Sequence, residues 1–333
     1  MIGRMTTPDR ALVLNLALQG GGAHGAFTWG VLDRLLEEPR VTVEGISATS
    51  SGAMNALALA QGWIEDGRDG ARAKLAALWD AVARQNSGLQ WAFAGPAGLG
   101  LRSLMAGVTR HFGPQQINPL GINPLRTIAG RLFDFERLRA ESPFKLFIAA
   151  TRVRDGALVL FPNERLDEDA LLASTCLPQL FAPVVVDGEA YWDGGYAGNP
   201  ALEPLVYDCA SRDVVCVLVQ PRERDGVPTS ARDIAARVAE LGFSTTFLRE
   251  VATLRRAREA LDGTMPVSRL GRRLRALNLH LIEPEAAFGA NAARTPLNTH
   301  AAFLQRLREL GRERGEAWLD ARATETTRRG WFG

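Results

Sequence analysis

A serine at a sharp turn between a strand-like run and a helix-like run constrains the fold of this chain more than any other feature. Residues 41–46 are largely β-branched, and small, helix-favouring residues follow the turn. Ser50 lies between Ala48 and Gly52, which nearly matches the G-x-S-x-G nucleophile elbow, where larger residues would clash with the neighbouring strand. The pattern places the hydroxyl at a helix N-terminus, whose partial positive charge favours an alkoxide. A plain strand-to-helix turn with Ser50 or Ser51 as the N-cap also fits this segment.

The order of the elements around this turn predicts an α/β fold with parallel strands. Strand, loop, helix, strand and helix follow one another from residue 12 to residue 63, and such an order pairs strands in parallel through right-handed crossovers. We predict further strands at 145–153, 157–161, 184–186, 189–192, 214–219 and 279–282, and further helices at 71–85, 169–176, 232–260, 268–277 and 301–319.

Composition indicates a globular protein with a large core. The chain has 333 residues, of which 46% are hydrophobic and 23% charged, enough for one large domain or two small ones. The net charge of +2 gives no electrostatic signature of nucleic-acid binding. Because no repeat or low-complexity linker divides the chain, we expect one domain over residues 11–322, with tails at 1–10 and 323–333.

Residues 88–125 differ from the rest, with glycine and proline between scattered apolar residues. We interpret this segment as a cap-like insertion, and an apolar loop packed on the core fits it equally well. The N-terminus has no apolar signal segment, and no run approaches the ~18 apolar residues that cross a bilayer. We therefore expect a cytoplasmic protein with peripheral contact to a membrane.

The cysteines and arginines each suggest a simple structural role. Cys176, Cys209 and Cys216 have apolar surroundings and no C-x-x-C spacing, which predicts buried free thiols rather than a zinc site or a disulfide framework. Arginines cluster at residues 255–258 and 272–275. They fit a solvated helix face, with an anionic membrane surface as the alternative.

A glycine-rich loop follows the first strand and precedes the first helix. Gly20, Gly22 and Gly25 satisfy G-x-G-x-x-G, and Glu44 lies about 20 residues further on, as in a dinucleotide site. The same backbone N–H groups can instead bind the oxyanion of a tetrahedral intermediate. We favour the oxyanion interpretation, because the strand continues past Glu44 and because a dinucleotide site does not need the turn at Ser50.

The histidines do not predict a triad. His24 lies in the glycine loop, where a positive helix terminus favours the neutral imidazole, and we expect it to orient the loop or to face solvent. His111, His280 and His300 lie in contexts that do not mark a catalytic base.

Asp193 is the candidate acid. It ends a predicted hairpin whose turn is Asp187-Gly188, and two glycines follow it, so its carboxylate is held on tightly turning backbone. Considered without the other motifs, Asp193 is explained as an Asx-turn residue that caps its own loop. Considered together with Ser50 and the glycine loop, it is a candidate general base. An unperturbed aspartate, with a pKa of about 3.9, is a weak base for an alcohol, and a dry pocket would raise its basicity. Asp187 is the weaker candidate, because the hairpin turn already accounts for it.

Three motifs, in their order and spacing, resemble those of the patatin-like phospholipases. They are the loop at residues 20–25, the turn at Ser50, and Asp193 with its two glycines. Residues 173–178 also resemble this family, and the likeness covers about residues 14–201.

This resemblance implies a three-layer α/β/α sandwich with a mostly parallel central sheet. It also implies hydrolysis of acyl esters in lipids by a Ser–Asp dyad, with Ser50 as nucleophile, Asp193 as general base, and neither cofactor nor metal. Two positions depart from the family pattern, since Ala48 replaces a glycine and His24 replaces a lysine or arginine. Backbone amides of the loop would form the oxyanion hole, a role that falls to Gly20, Gly21, Gly22, Ala23 and Gly25.

The expected function is therefore a lipid acyl hydrolase of the phospholipase A or carboxylesterase type. Its expected partner is a lipid ester and not a nucleic acid. The alternatives are a dinucleotide-binding protein that uses the glycine loop and a non-catalytic lipid-binding relative.

Overall fold

Eight strands form one mixed sheet in the computed structural model, which describes residues 11–92, 123–220, 222–223, 226–284, 295 and 298–330. They are β1 (Leu12–Leu18), β2 (Val41–Thr49), β3 (Lys145–Arg152), β4 (Leu158–Pro162), β5 (Val184–Val186), β6 (Glu189–Asp193), β7 (Asp213–Val217) and β8 (Asn278–Ile282). Their order is β5-β6-β3-β2-β1-β7-β8, and β4 also pairs with β3. Strands β3, β2, β1, β7 and β8 are parallel, and β4, β5 and β6 pair antiparallel.

Helices cover both faces of this sheet. They are α1 (Gly25–Glu37), α2 (Ser51–Ala92), α3 (Pro124–Leu132), α4 (Phe135–Glu141), α5 (Glu168–Ser174), α6 (Glu203–Tyr207), α7 (Ala231–Glu259), α8 (Arg269–Ala276) and α9 (Ala301–Gly330). Leu14, Leu16 and Leu18 of β1 face a core shared with α1, α2 and α9, whereas Ala17 faces a second core under α6 and α7. This alternation along one strand confirms the expected three-layer α/β/α sandwich.

The helices differ from the prediction in three respects. The helices predicted at 51–63 and 71–85 form one element, α2, in which only Asp66 and Gly67 leave helical geometry. No helix was predicted for the ranges of α3, α4 and α6. Helix α9 continues to Gly330, where we expected a tail from residue 323, because neither proline nor glycine interrupts residues 323–329.

The predicted insertion at residues 88–125 lies largely outside the described residues. Its first part belongs to the end of α2, and its last part belongs to the start of α3. The cap-like role of the part between residues 93 and 122 stays a prediction.

A pair of glycines lets α1 and α9 touch through their backbones. A Cβ atom on Gly30 would overlap the carbonyl oxygen of Arg308, and one on Gly311 would overlap that of Phe27. The contact helps to fix α1, whose N-terminus follows the glycine loop.

A buried charge cluster strengthens the same contact. Asp33 of α1 is 2% exposed and accepts hydrogen bonds from Arg72, Arg308 and Arg312. Burial raises the pKa of Asp33, but the hydrogen bonds from these guanidinium groups outweigh that effect and hold the pKa below its ordinary value.

We expect Gly311→Ala to lower the free energy of unfolding by about 1–3 kcal/mol, because the added methyl group overpacks a backbone contact. Gly315→Ala in the same helix is the matched control. Its Cβ would lie 3.4 Å from the Arg34 Cβ, an ordinary contact, and alanine favours a helix by up to about 1 kcal/mol over glycine. Urea denaturation measures both variants, and equal stabilities would contradict the close approach of the two helices.

Candidate active site

Ser50 occupies a strained turn directly after β2. Its φ of 54° lies in the left-handed region, which residues with a side chain rarely adopt, and α2 begins at the next residue. The Ser50 N–H donates to the Oγ of Ser174, at the end of α5, at 3.0 Å. Such strain persists only where the surroundings hold it, and it is concentrated at functional sites.

The two small residues beside Ser50 have different reasons to be small. A Cβ on Gly52 would overlap the carbonyl oxygen of Leu18 in β1, so only glycine fits there. Ala48 is fully buried and pairs with Leu18 on one side and Ile148 of β3 on the other. The fold therefore accommodates a methyl group at the position where the elbow pattern has its first glycine.

The glycine loop passes directly over the serine turn. A Cβ on Gly20 would lie 2.6 Å from the Cβ of Ser50 and 2.7 Å from the carbonyl oxygen of Thr49, so a side chain has no room. The loop and the elbow, predicted from separate motifs, thus form one surface.

Two N–H groups of this loop are already used within the protein. The Gly20 N–H donates to Asn199 Oδ1 at 2.7 Å, and the Gly21 N–H donates to Ser51 Oγ at 3.0 Å. These two glycines shape the loop, and their N–H groups are not directed to an oxyanion.

The next residues begin a short 3₁₀ helix, Gly22–His24, ahead of α1. The Gly25 N–H donates to carbonyl oxygens of this turn. The N–H groups of Gly22 and Ala23 precede its first internal hydrogen bond, as at any helix start. Of the five residues predicted for the oxyanion hole, Gly22 and Ala23 remain the candidates for donors.

Asp193 is fully buried at the end of β6. Its Oδ1 accepts the Gly195 N–H at 2.8 Å, which is the Asx turn considered above. Its backbone N–H donates to the Cys176 carbonyl, and its carbonyl accepts from Thr151 Oγ1, both at 2.8 Å. Oδ2 makes no hydrogen bond of ordinary geometry with the residues that the structure describes.

The Ser50 hydroxyl influences the pKa of the Asp193 carboxyl. Burial raises the pKa of Asp193 to about 7, and the Ser50 hydroxyl and the Gly195 N–H partly oppose the rise by stabilising the carboxylate. The hydroxyl therefore lies beside the carboxyl. Acid–base pairs commonly tighten only when substrate binds. The fold thus brings together the two residues that the sequence predicts as a pair.

A buried asparagine that the sequence analysis missed joins the two loops. Asn199 holds Gly20 from both sides, since its Oδ1 accepts the Gly20 N–H and its Nδ2 donates to the Gly20 carbonyl at 3.3 Å. The Nδ2 also donates to the Phe243 carbonyl of α7 at 3.0 Å. The only signal in the sequence is its place six residues after Asp193.

A second missed asparagine supports the starts of α1 and α2. Asn55 Nδ2 donates to the carbonyl oxygens of Gly25 and Ser51 at 3.0 and 2.9 Å. Its Oδ1 accepts from Trp79 Nε1 at 3.0 Å. Every polar atom of this buried side chain is thereby used to fix the two helix starts that flank the site.

His24 lies inside the protein and does not face solvent. Its Nε2 makes a 2.9 Å hydrogen bond with Thr295 Oγ1, and burial lowers the pKa of His24 to about 4. The imidazole is therefore neutral near pH 7, and the contact orients the loop, one of the two expected roles.

Glu44 lies far from the glycine loop. It accepts the N–H groups of Ala210 and Ser211 at 2.7 and 2.6 Å, and Lys145 lies 3.3 Å away. It lies five positions before the end of β2 at Thr49, or about 16 Å of strand. The dinucleotide interpretation therefore lacks its acidic residue.

The remaining predictions about side-chain chemistry concern thiols and metals. All three cysteines are buried and free, as predicted, and burial raises the pKa of Cys176 to about 11. In the described part of the chain, no cluster of three histidine, cysteine or carboxylate side chains is arranged to bind a metal ion.

Each helix described is too short or too polar to cross a bilayer.

The structure combines an α/β/α sandwich with a serine elbow, a glycine loop and a buried carboxyl, the arrangement that the three sequence motifs predict. Residues 16–206, more than half of the chain, match the family described as Patatin-like phospholipase. The chain belongs to the patatin-like phospholipase family, which confirms the resemblance seen in its motifs.

Among solved structures, the chain is similar to VipD from Legionella pneumophila. The two share 16% sequence identity with a TM-score of 0.42, over 94% of this chain and 67% of that chain. A comparison with curated proteins found no match.

Proposed function

We propose that this protein cleaves acyl esters of lipids through a Ser50–Asp193 dyad and an acyl-enzyme, as a phospholipase A or carboxylesterase. One observation carries the proposal: a fully buried carboxyl lies beside the Ser50 hydroxyl with one oxygen uncommitted. A carboxylate in that setting is arranged to accept a proton from the serine. Family membership supports the lipid ester as substrate.

The first half of the reaction forms the acyl-enzyme. Ser50 Oγ attacks the ester carbonyl carbon while its proton passes to Asp193 Oδ2. The carbonyl oxygen becomes an oxyanion and accepts the N–H groups of Gly22 and Ala23, each such donor being worth about 3 kcal/mol. The tetrahedral intermediate then collapses, and Asp193 returns the proton to the departing alcohol.

The second half releases the fatty acid. A water molecule gives its proton to Asp193 as its oxygen attacks the acyl carbon, and the same amides hold the second oxyanion. Collapse of that intermediate returns the proton to Ser50 Oγ and frees the carboxylic acid. No metal or cofactor takes part in these steps.

Asp193 is fit for this role without a histidine. A general base works best when its pKa lies near the operating pH, and burial brings the pKa of Asp193 to about 7. The N-terminus of α2 at Ser51 places partial positive charge next to the developing alkoxide. His24 cannot replace Asp193, because its ring is tied to Thr295 and its pKa is lowered to about 4.

We expect a fluorophosphonate ester to label Ser50 covalently, with a rate that rises as the pH passes through about 7. Only the ionised carboxylate of Asp193 can accept the serine proton, and the pKa of Asp193 sets that range. Mass spectrometry of the peptides should place the adduct on Ser50 and not on its neighbour Ser51. Ser50→Ala is the negative control.

Two outcomes would contradict the proposal. An adduct on another serine would remove Ser50 as nucleophile. Absence of labelling in correctly folded protein would favour the non-catalytic lipid-binding alternative.

A further inference from the structure

Helix α7 carries an exposed apolar face that the core does not use. Ile234, Val238 and Leu241 follow i, i+4, i+7 spacing and are 45%, 62% and 42% exposed. Phe243 and Phe247 lie on the opposite side of the helix, toward the protein. The other exposed positions described between 231 and 245 are also uncharged, namely Ala231, Ala235, Ala239, Gly242 and Thr245. Clustered exposed apolar side chains of this kind mark an interaction surface.

The part of α7 that carries this face, residues 231–245, lies beside the candidate site. The Phe243 carbonyl accepts from Asn199, which holds Gly20 in the glycine loop. The Phe243 ring packs edge-on against Tyr196, three residues after Asp193, with ring centroids 4.7 Å apart. The helix therefore supports the site with its inner side and presents the apolar residues on its outer side.

The outer side becomes basic toward the end of the helix. Arg249 and Arg256 lie about three and five helical turns after Val238, so they share its direction, and both are exposed. Of the acids of α7, Glu240, which is 9% exposed, and Glu250 lie on the inner side, and Glu259 is exposed in the last turn, after Arg256. An apolar stretch that continues into arginine matches an anionic lipid surface, into which apolar side chains insert while cations meet the headgroups.

We propose that this face of α7, defined by Ile234, Val238, Leu241, Arg249 and Arg256, docks the protein on an anionic lipid surface. The proposal rests on the proposed function, which makes such a lipid surface the source of the substrate. A second copy of the chain would cover only the apolar residues of this face. Parallel helices would set arginine against arginine, and antiparallel helices centred on Val238 would leave Arg249 and Arg256 outside the contact.

The second arginine cluster does not belong to this surface. Arg273 donates to the carbonyl oxygens of Leu205 and Ser211 at 2.8 Å, and Arg275 donates to that of Thr264 at 2.6 Å. These side chains are engaged in hydrogen bonds to backbone carbonyl oxygens. The interpretation of residues 272–275 as a binding site for an anionic membrane surface is therefore not supported.

Vesicle sedimentation of the full-length Ser50→Ala protein measures docking without lipid turnover. In that background, we expect Ile234→Ser/Val238→Ser/Leu241→Ser to bind equimolar phosphatidylcholine and phosphatidylglycerol vesicles at least about tenfold more weakly. Arg249→Gln/Arg256→Gln should weaken binding to these vesicles and leave binding to pure phosphatidylcholine unchanged. Val185→Ser is the matched control, since Val185 is 59% exposed on β5.

Activity assays separate the docking surface from the proposed chemistry. With Ser50 present, the triple serine variant should hydrolyse a short soluble ester at the parental rate and vesicle phospholipid at least about tenfold more slowly. Unchanged vesicle binding would overturn the docking surface, and a concurrent change from dimer to monomer would assign the face to a contact between copies. Failure of the unmutated protein to hydrolyse the soluble ester would overturn the proposed function, while the vesicle-binding result would stand.

Discussion

Asp193→Asn is expected to lower kcat/KM for a soluble ester by at least about 10³-fold while the fold is retained. The amide oxygen can still accept the Gly195 N–H, so the turn after β6 keeps its hydrogen bond. The amide cannot accept a proton from Ser50, so the nucleophile loses its base. The activity that remains comes from the oxyanion donors and from substrate binding.

The chain offers a matched control in the same hairpin. Asp187 has a side chain that is 77% exposed and pairs with Arg165 at the β5–β6 turn, so Asp187→Asn should keep the parental rate. Ser50→Ala should lose at least as much activity as Asp193→Asn, and the double variant should lose little more than Ser50→Ala, because residues that act as a unit are not additive. Losses that multiply in the double variant would show that the two residues do not share a step.

Features that rest on local backbone geometry could be predicted from the sequence. The Asp187-Gly188 pair indicates a type I′ hairpin, and the two residues have φ values of 50° and 80°, as that turn requires. The small residues around Ser50 predict the strand-to-helix turn, because the nearby backbone of β1 leaves no room for larger ones. In such cases the physical cause lies within a few residues of the motif.

The partners of the candidate site could not be predicted, because they come from distant parts of the chain. The hydrogen bonds between Gly20 and Asn199, between Ser50 and Ser174 and between His24 and Thr295 span 179, 124 and 271 residues. A single buried asparagine or serine has no periodic pattern that would mark it. The glycine motif likewise gives the loop but not which N–H groups are free, since that depends on where those distant acceptors lie.

The buried Asp193 carboxyl makes a contribution to the free energy of unfolding that falls as the pH rises from about 4 to about 7. The pKa of Asp193 is about 7 in the folded protein and 3.8 as the ordinary value, so between these limits the folded state binds more protons than the unfolded state. Unfolding then becomes easier with rising pH, because deprotonation costs more in the folded state. Below pH 4 the carboxyl is protonated in both states, and above pH 7 the loss is complete.

Asp193→Asn should therefore stabilise the protein by up to about 4 kcal/mol at pH 8, and the gain should shrink toward pH 4, since each unit of pKa shift corresponds to about 1.4 kcal/mol. For a chain of this length the gain corresponds to roughly 5 °C in Tm, which scanning calorimetry at several pH values measures. Ser50→Ala keeps the carboxyl but removes a hydroxyl that stabilises the carboxylate, so it should keep the loss of stability with rising pH and extend that loss to a higher pH. A gain that is equal at pH 5 and pH 8 would mean that the Asp193 charge does not oppose folding. We therefore expect Asp193→Asn to be more stable than the parent and inactive. Burial of the Asp193 carboxyl lowers the stability of the fold, and the same burial makes the carboxylate basic enough to activate Ser50.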